Sequence, residues 1–118
     1  MGGNIVREKS FSFALEIISL YKQLQREKEF VLSRQMLRSG TSIGANIEEA
    51  LAGQSRRDFL AKMSIASKEA RETRYWLVLL QQSKLTDLDL QPAIRQAEAL
   101  MKILTSIVKT TAENNYEL

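Results

Sequence analysis

QMLRSGTSIGANIEEALAGQSRRDF, residues 35–59, decides the fold, because an apolar helical pattern and several small residues run through it together. Apolar or small residues recur there at spacings of three and four, as along one face of an α-helix: Met36, Gly40, Ile43, Ile47 and Leu51. Glycine inside a helix costs roughly 0.8–1 kcal/mol relative to alanine, so Gly40 and Gly44 are expected where another backbone approaches closely. The stretch predicts a helix from about Phe30 to Leu51 that packs tightly on a neighbour.

Asn46 and Glu49 lie three residues apart beside this apolar stripe, so their side chains point the same way. Buried amides and carboxylates need hydrogen-bond partners. We therefore interpret the pair as a structural network that sets the register of the helix. A contact with a ligand or a protein is the alternative.

Three further segments have helical periodicity. The first helix is predicted from about Val6 to Lys28, with two adjacent apolar stripes and hence two neighbours. One stripe is Phe11, Leu15, Ile18 and Tyr21, and the other is Phe13, Ile17, Leu20 and Leu24. Gly53 is expected to end the second helix in a left-handed conformation, and Ser55 to cap the third.

The third and fourth helices complete the pattern. The third alternates spacings of four and three through Phe59, Met63, Ala66, Ala70, Thr73, Leu77 and Leu80. The small Ala66 and Ala70 are expected to let the second helix come close at its glycines. Pro92 suits the first turn of the fourth helix, with Asp89 as a candidate cap, and the tail from Ala112 is expected to fray. Short connections predict one all-α domain over residues 1–118, an antiparallel up-and-down four-helix bundle.

The same residues resemble a known family. Residues 38–50, then SRRDF at 55–59 and the downstream Ser67, Glu72 and Leu77, resemble the signature of the small bacterial proteins named after intervening sequences in 23S ribosomal RNA. That family's core motif usually reads Ser-Ile-Pro-Ala-Asn-Ile-Ala-Glu-Gly. Among the matches are Ser42, Ile43, Asn46 and Glu49, whereas Gly44, Glu48 and Ala50 depart from it.

This resemblance implies an up-and-down four-helix bundle that assembles into a homopentamer. It also implies a relation to accessory proteins of diversity-generating retroelements, which engage RNA and a reverse transcriptase. It implies no catalytic site.

The composition is that of a globular helical protein. Of 118 residues, 44% are apolar and 26% charged, and the net charge of +3 indicates a mild preference for anionic partners. No apolar stretch is long enough to span a membrane, and residues 1–10 carry no pattern of an export signal. With no cysteine in the chain, the cytoplasm is the expected location.

The chain contains neither histidine nor cysteine, which removes the usual metal ligands and the commonest catalytic bases and nucleophiles. Glutamates alone could bind a hard cation with water, but carboxylates on helices are far more often solvated or paired with arginine. We therefore predict a protein that is not an enzyme and that uses no metal ion and no cofactor.

Candidate contact residues fall into two groups. Arg57, Lys68 and Arg71 lie within roughly 60° of one another on a helical wheel and form a basic stripe, with Arg34 and Arg38 as weaker candidates. Ile65, Trp76 and Leu79 form a second apolar flank on the third helix, predicted to be an oligomer interface.

We therefore predict a homo-oligomeric, pentameric scaffold or adaptor whose basic surface contacts RNA or an RNA-associated protein such as a reverse transcriptase. A solubilising surface is the simpler interpretation of the charges. The alternative function is a protein-interaction bundle without nucleic-acid binding.

Overall fold

Four α-helices account for all the regular structure among the residues described. The computed structural model describes the backbone of residues 2–116 and the side chains of residues 5–114. α1 spans Gly2–Arg26, α2 Leu32–Ala52, α3 Arg56–Ser83 and α4 Gln91–Tyr116. The molecule measures 52 × 22 × 22 Å. The all-helical prediction is confirmed, and α4 continues to Tyr116, beyond the point where fraying was expected.

Each helix packs on its neighbours in sequence, and α4 also packs on α1, whereas the diagonal pairs bring no Cα atoms of the described residues within 8 Å of each other. Polar contacts show which parts of the helices meet. Arg7 near the start of α1 lies 2.5 Å from Glu48 near the end of α2, and Gln81 near the end of α3 lies 3.3 Å from Gln91 at the start of α4. The core therefore lies along the axis of a four-helix arrangement.

One of the two apolar stripes of α1 is buried in that core, and half of the other stripe is exposed. Phe13, Ile17 and Leu24 are buried, whereas the side chains of Phe11 and Leu15 are 66% and 55% exposed. Their positions explain the difference, because the four-helix arrangement encloses one face of each helix and leaves the opposite face in solvent. In the second stripe Ile18 and Tyr21 are half-buried, and Tyr21 packs against the core, whereas Phe11 and Leu15 have no covering helix within the described chain.

The two glycines of α2 face α1. A Cβ atom added to Gly40 would lie 2.9 Å from Cγ2 of Ile17, and one added to Gly44 would lie 3.4 Å from Oγ of Ser10 and 3.7 Å from its backbone carbonyl carbon. The predicted close approach is confirmed, but its partner is α1. The expectation that these glycines pair with Ala66 and Ala70 of α3 is wrong, because the face that carries them is turned toward the first helix.

The buried stripe of α2 ends at Ala50, which is 2% exposed, and not at Leu51, which is 40% exposed. A three-residue step from Ile47 keeps Ala50 on the buried face, whereas a four-residue step carries Leu51 past its edge.

The helix ends have the hydrogen bonds predicted from the sequence, with one exception. Oγ of Ser55 accepts a hydrogen bond from the Asp58 amide at 3.0 Å, and Oδ1 of Asp89 accepts one from the Gln91 amide at 3.2 Å. Both predicted caps are confirmed. Gly53, however, has φ −64° and ψ 150°, so the left-handed conformation expected there is wrong; its amide donates to the Ala50 carbonyl instead.

The connection between α1 and α2 is organised by one carboxylate. The Glu29 carboxylate accepts hydrogen bonds from the backbone amides of Val31, Leu32 and Ser33 at 3.2, 3.0 and 2.6 Å. These amides at a helix start have no partner within the helix, and the helix dipole favours a negative charge there. Partial burial acts to raise the pKa of Glu29, but the backbone hydrogen bonds from Leu32, Ser33 and Val31 outweigh it and lower the pKa.

Gly40→Ala and Gly44→Ala should change stability in opposite directions. The methyl group at residue 40 must displace the fully buried Ile17, and overpacking of this kind costs about 1–3 kcal/mol, more than the gain of up to about 1 kcal/mol in helix propensity. At residue 44 the methyl group has ordinary contact distances, so the propensity gain should dominate. Urea denaturation of both variants measures this difference, and equal effects would contradict the packing described here.

The lowered pKa of Glu29 predicts a pH-dependent contribution to stability. A carboxylate whose pKa is lowered by folding contributes fully above its unfolded pKa of about 4.3, and the contribution is lost as the pH falls through the folded value. Glu29→Gln should therefore cost about 0.5–2 kcal/mol at neutral pH, as loss of a helix cap does, and less at acid pH. Thermal unfolding across pH measures the cost, with the exposed Glu27→Gln as the control that should show no such loss.

Candidate nucleic-acid interface

Four basic side chains line one groove between α3 and α4, and three of them form a cluster without a salt-bridge partner in its lining. Arg71 comes from α3, and Lys102 and Lys109 come from α4. Arg74 and Glu98 also line the groove but pair with each other, with 2.7 Å between Nε and Oε2. The groove thus keeps the positive charge of the other three. We call Arg71, Lys102 and Lys109 the basic groove.

The spacing of the two helices produces this cluster. Lys102 and Lys109 are seven residues apart, so they lie on the same face of α4, separated by about 10 Å along its axis at 1.5 Å per residue. Between them, Thr105 accepts a hydrogen bond through Oγ1 from the Arg71 guanidinium at 3.4 Å. That contact brings Arg71 across the groove to lie between the two lysines along α4. Met101 contributes the apolar part of the lining.

Sequence reasoning missed Lys102 and Lys109. A signal was present, since Arg95, Lys102 and Lys109 repeat at seven-residue intervals, which places basic groups along one face of a helix. Of the predicted stripe on α3, only Arg71 belongs to the basic groove. Arg57 and Lys68 are exposed on α3 but do not line it.

Arg38 is held by carboxylates of α3. Its guanidinium bonds to Glu69 at 3.0 Å and also to Glu72. The Glu72 carboxylate in turn accepts the indole N–H of Trp76 at 3.0 Å, and these hydrogen bonds, that of Trp76 first, lower the pKa of Glu72 against the opposing effect of burial. Arg38 therefore joins α2 to α3. Arg34, the other weaker candidate, is exposed on α2, away from the basic groove.

The four motif residues do not share a network. Ile43 is fully buried. Ser42 donates to the Arg38 carbonyl at 2.6 Å, and Asn46 donates to the Ser42 carbonyl at 2.8 Å, both within α2. Glu49 lies 3.2 Å from Nζ of Lys62 on α3. Asn46 and Glu49 thus have separate partners, because the half-buried amide bonds back along its own helix while the carboxylate reaches across to α3.

The predicted apolar flank of α3 is only partly covered. Ile65 is 41% exposed, whereas Trp76 and Leu79 are half-buried. Tyr75, 57% exposed, meets Trp76 edge to face with 5.1 Å between ring centroids. This flank therefore remains available to a partner.

In the part of the chain that the structure describes, no group of three or more acidic side chains is placed to hold a metal ion. None of the helices there is long and apolar enough to cross a membrane.

Comparisons with known proteins agree on one family. The family model described as 23S rRNA-intervening sequence protein matches residues 3–106. A crystal structure of a protein of unknown function, from the S23 ribosomal protein family of Bacteroides thetaiotaomicron, is similar to the chain with 50% sequence identity and a TM-score of 0.87. The similarity covers 92% of this chain and 99% of that one. No curated protein sequence matches the chain.

The contacts of Asn46 and Arg38 predict unequal costs of removing them. Asn46→Ala should change the free energy of unfolding by no more than about 0.5 kcal/mol, because it removes only a bond within α2 and strands no buried group. Arg38→Ala should cost about 1 kcal/mol, since it releases two carboxylates, although solvent screens this exposed network. Urea denaturation distinguishes the two, and a larger loss for Asn46→Ala would restore the structural network expected from the sequence.

Proposed function

The chain belongs to the 23S rRNA-intervening sequence protein family, and from that premise we propose that it is a non-enzymatic, homo-oligomeric scaffold whose basic groove contacts RNA or an RNA-associated protein. The observation that carries this proposal is the groove between α3 and α4, where Arg71, Lys102 and Lys109 meet without an opposing carboxylate of their own among its lining residues. Like charges held this close repel one another, and an anionic backbone relieves that repulsion.

The proposal includes an antiparallel up-and-down arrangement of the helices. It is supported by contacts between the start of one helix and the end of the next: Arg7 of α1 with Glu48 of α2, and Arg56 of α3 with the Asn114 carbonyl of α4 at 3.4 Å. In this arrangement α3 and α4 lie side by side along their length, so the basic groove follows their shared boundary.

Self-association would strengthen such a groove. The exposed apolar side chains of Phe11, Leu15 and Tyr75 favour contact with another surface, and repeated copies place several basic grooves around one assembly. The resemblance seen in the sequence implies five subunits and a partner such as a reverse transcriptase. The lack of histidine and cysteine supports a binding role over catalysis, and a location in the cytoplasm fits an RNA partner.

A protein-interaction bundle without nucleic-acid binding is the second candidate. The observation in its favour is the same set of exposed apolar side chains, which the monomer leaves uncovered. Ionic strength distinguishes the candidates, because phosphate contacts weaken steeply with salt whereas apolar docking does not.

RNA binding should depend on the basic groove and on salt. Each phosphate contact on a single strand contributes about −0.7 to the logarithmic salt slope, so three contacts give about −2 for each engaged subunit. Arg71→Ala/Lys102→Ala/Lys109→Ala should remove most of this slope and most of the affinity. Fluorescence anisotropy with single-stranded and structured RNA, at about 50 and 200 mM salt, measures both quantities.

The matched control is Lys9→Ala/Arg26→Ala/Arg34→Ala, which removes the same charge from exposed positions of α1 and α2 outside the basic groove. It should keep the affinity apart from a small uniform decrease. Both triple variants must show the oligomeric state of the wild type by sedimentation. Binding that ignores salt, or equal losses in the two variants, would favour the protein-interaction candidate.

A further inference from the structure

We infer that the uncovered apolar face of α1 is a docking surface for α3 of a second copy of this chain. The inference rests on the proposed self-association and goes further by naming the two surfaces that meet. They lie on α1 and α3, which are diagonal in the four-helix arrangement and bring no Cα atoms of the described residues within 8 Å of each other. One copy can therefore use both surfaces at the same time.

The surface on α1 has the spacing of a coiled-coil seam. Glu8, Phe11, Leu15, Ile18 and Lys22 alternate steps of three and four, the pattern by which one helix packs along another. Phe11 and Ile18 also line an open groove whose other wall belongs to α2. Ala14, Gly44 and Ala45 line the same groove, and such small residues leave room for a third helix to lie against α1.

The surface on α3 carries a matching seam. Ala61, Ile65, Lys68, Glu72, Tyr75 and Leu79 alternate steps of four and three. Ile65 and Tyr75 are 41% and 57% exposed, and neither is covered by a neighbouring helix of the same chain. This seam runs along the outside of α3, away from Ala66, Ala70 and the other side chains that it buries.

Charges on the two seams are complementary. In the groove, Arg7 pairs with Glu48, which leaves Glu8 as the charge without a partner of opposite sign there. On α3, Glu72 already pairs with Arg38, which leaves Lys68. If Glu8 is set opposite Lys68 with the two helices parallel, the same offset of 60 residues brings Leu15 to Tyr75 and Ile18 to Val78, next to Leu79. Electrostatic and apolar matches thus select the same register, and a second copy of the chain supplies both.

This pairing joins two different faces, so each docked pair of copies keeps one α1 surface and one α3 surface unused. Such an interface is heterologous and continues from copy to copy until a ring closes. It leaves the basic groove open, because Lys102 and Lys109 lie on α4 and Arg71 bonds toward α4 at Thr105. In this arrangement Lys68 faces the neighbouring copy and not RNA.

Two lysine substitutions test the pairing. Leu15→Lys disables the α1 surface and Tyr75→Lys the α3 surface; both residues are more than half exposed, so neither change disturbs the core. At micromolar concentration each variant alone should sediment as a monomer of 13.4 kDa, whereas the wild type assembles. Mixed together they should form one-to-one dimers that grow no further, because each supplies the surface that the other has lost. Leu85→Lys, at a 54% exposed site outside both seams, is the control and should assemble as the wild type does.

Each result decides a separate point. A monomeric wild type overturns the self-association in the proposed function and this inference with it. A wild-type oligomer that survives both substitutions overturns only the named surfaces. Dimers of Leu15→Lys alone would show that α3 docks on α3, and a mixture that stays monomeric would also reject the pairing.

The register has its own test in charge reversal. Glu8→Lys and Lys68→Glu should each weaken assembly by about fivefold or less, as expected for an exposed ion pair. The two changes in one chain should restore the wild-type affinity. A double variant weaker than either single variant would overturn the parallel register.

Discussion

The contact between Ile17 and Gly40 is the constraint on which the rest of the arrangement depends. Because residue 40 has no side chain, the branched side chain of Ile17 lies directly against the backbone of α2, in the space that a Cβ would need. This close approach sets which faces of α1 and α2 are buried, and therefore which faces are not. Once Phe13 and Ile17 point inward, Phe11 and Leu15 must point outward. The exposed surface of α1 is thus a direct consequence of the packing inside.

Two of the boundaries between neighbouring helices differ in their electrostatic contacts. Between α2 and α3, Arg38 pairs with Glu69 and Glu72, and Lys62 pairs with Glu49. Ion pairs therefore join these two helices. Between α3 and α4, one arginine is matched by Glu98 while other cations have no such counterpart in the groove. This groove between α3 and α4 is the one for which we propose a binding role.

Sequence periodicity predicted the four helices, most of the buried side chains and the caps at Ser55 and Asp89, because these depend on local spacing and local hydrogen bonds. It could not predict which helix the glycines of α2 would meet, since that depends on the handedness of the whole arrangement. Nor could it combine Arg71 with Lys102 and Lys109, which come from separate helices and meet only after folding. Asn46 shows the remaining difficulty: an amide beside an apolar stripe can bond across to a neighbour or back along its own helix, and spacing does not distinguish the two.

The network around Trp76 has a spectroscopic consequence. It is the only tryptophan of the chain, its indole N–H is bonded to Glu72, and its ring touches Tyr75 at the edge of the exposed face of α3. A half-buried indole that is bonded on one side and borders the proposed docking surface on the other changes its emission when either environment changes. The protein therefore carries a built-in fluorophore, and the proposed docking of a second copy on α3 can be followed by its intrinsic fluorescence without any label.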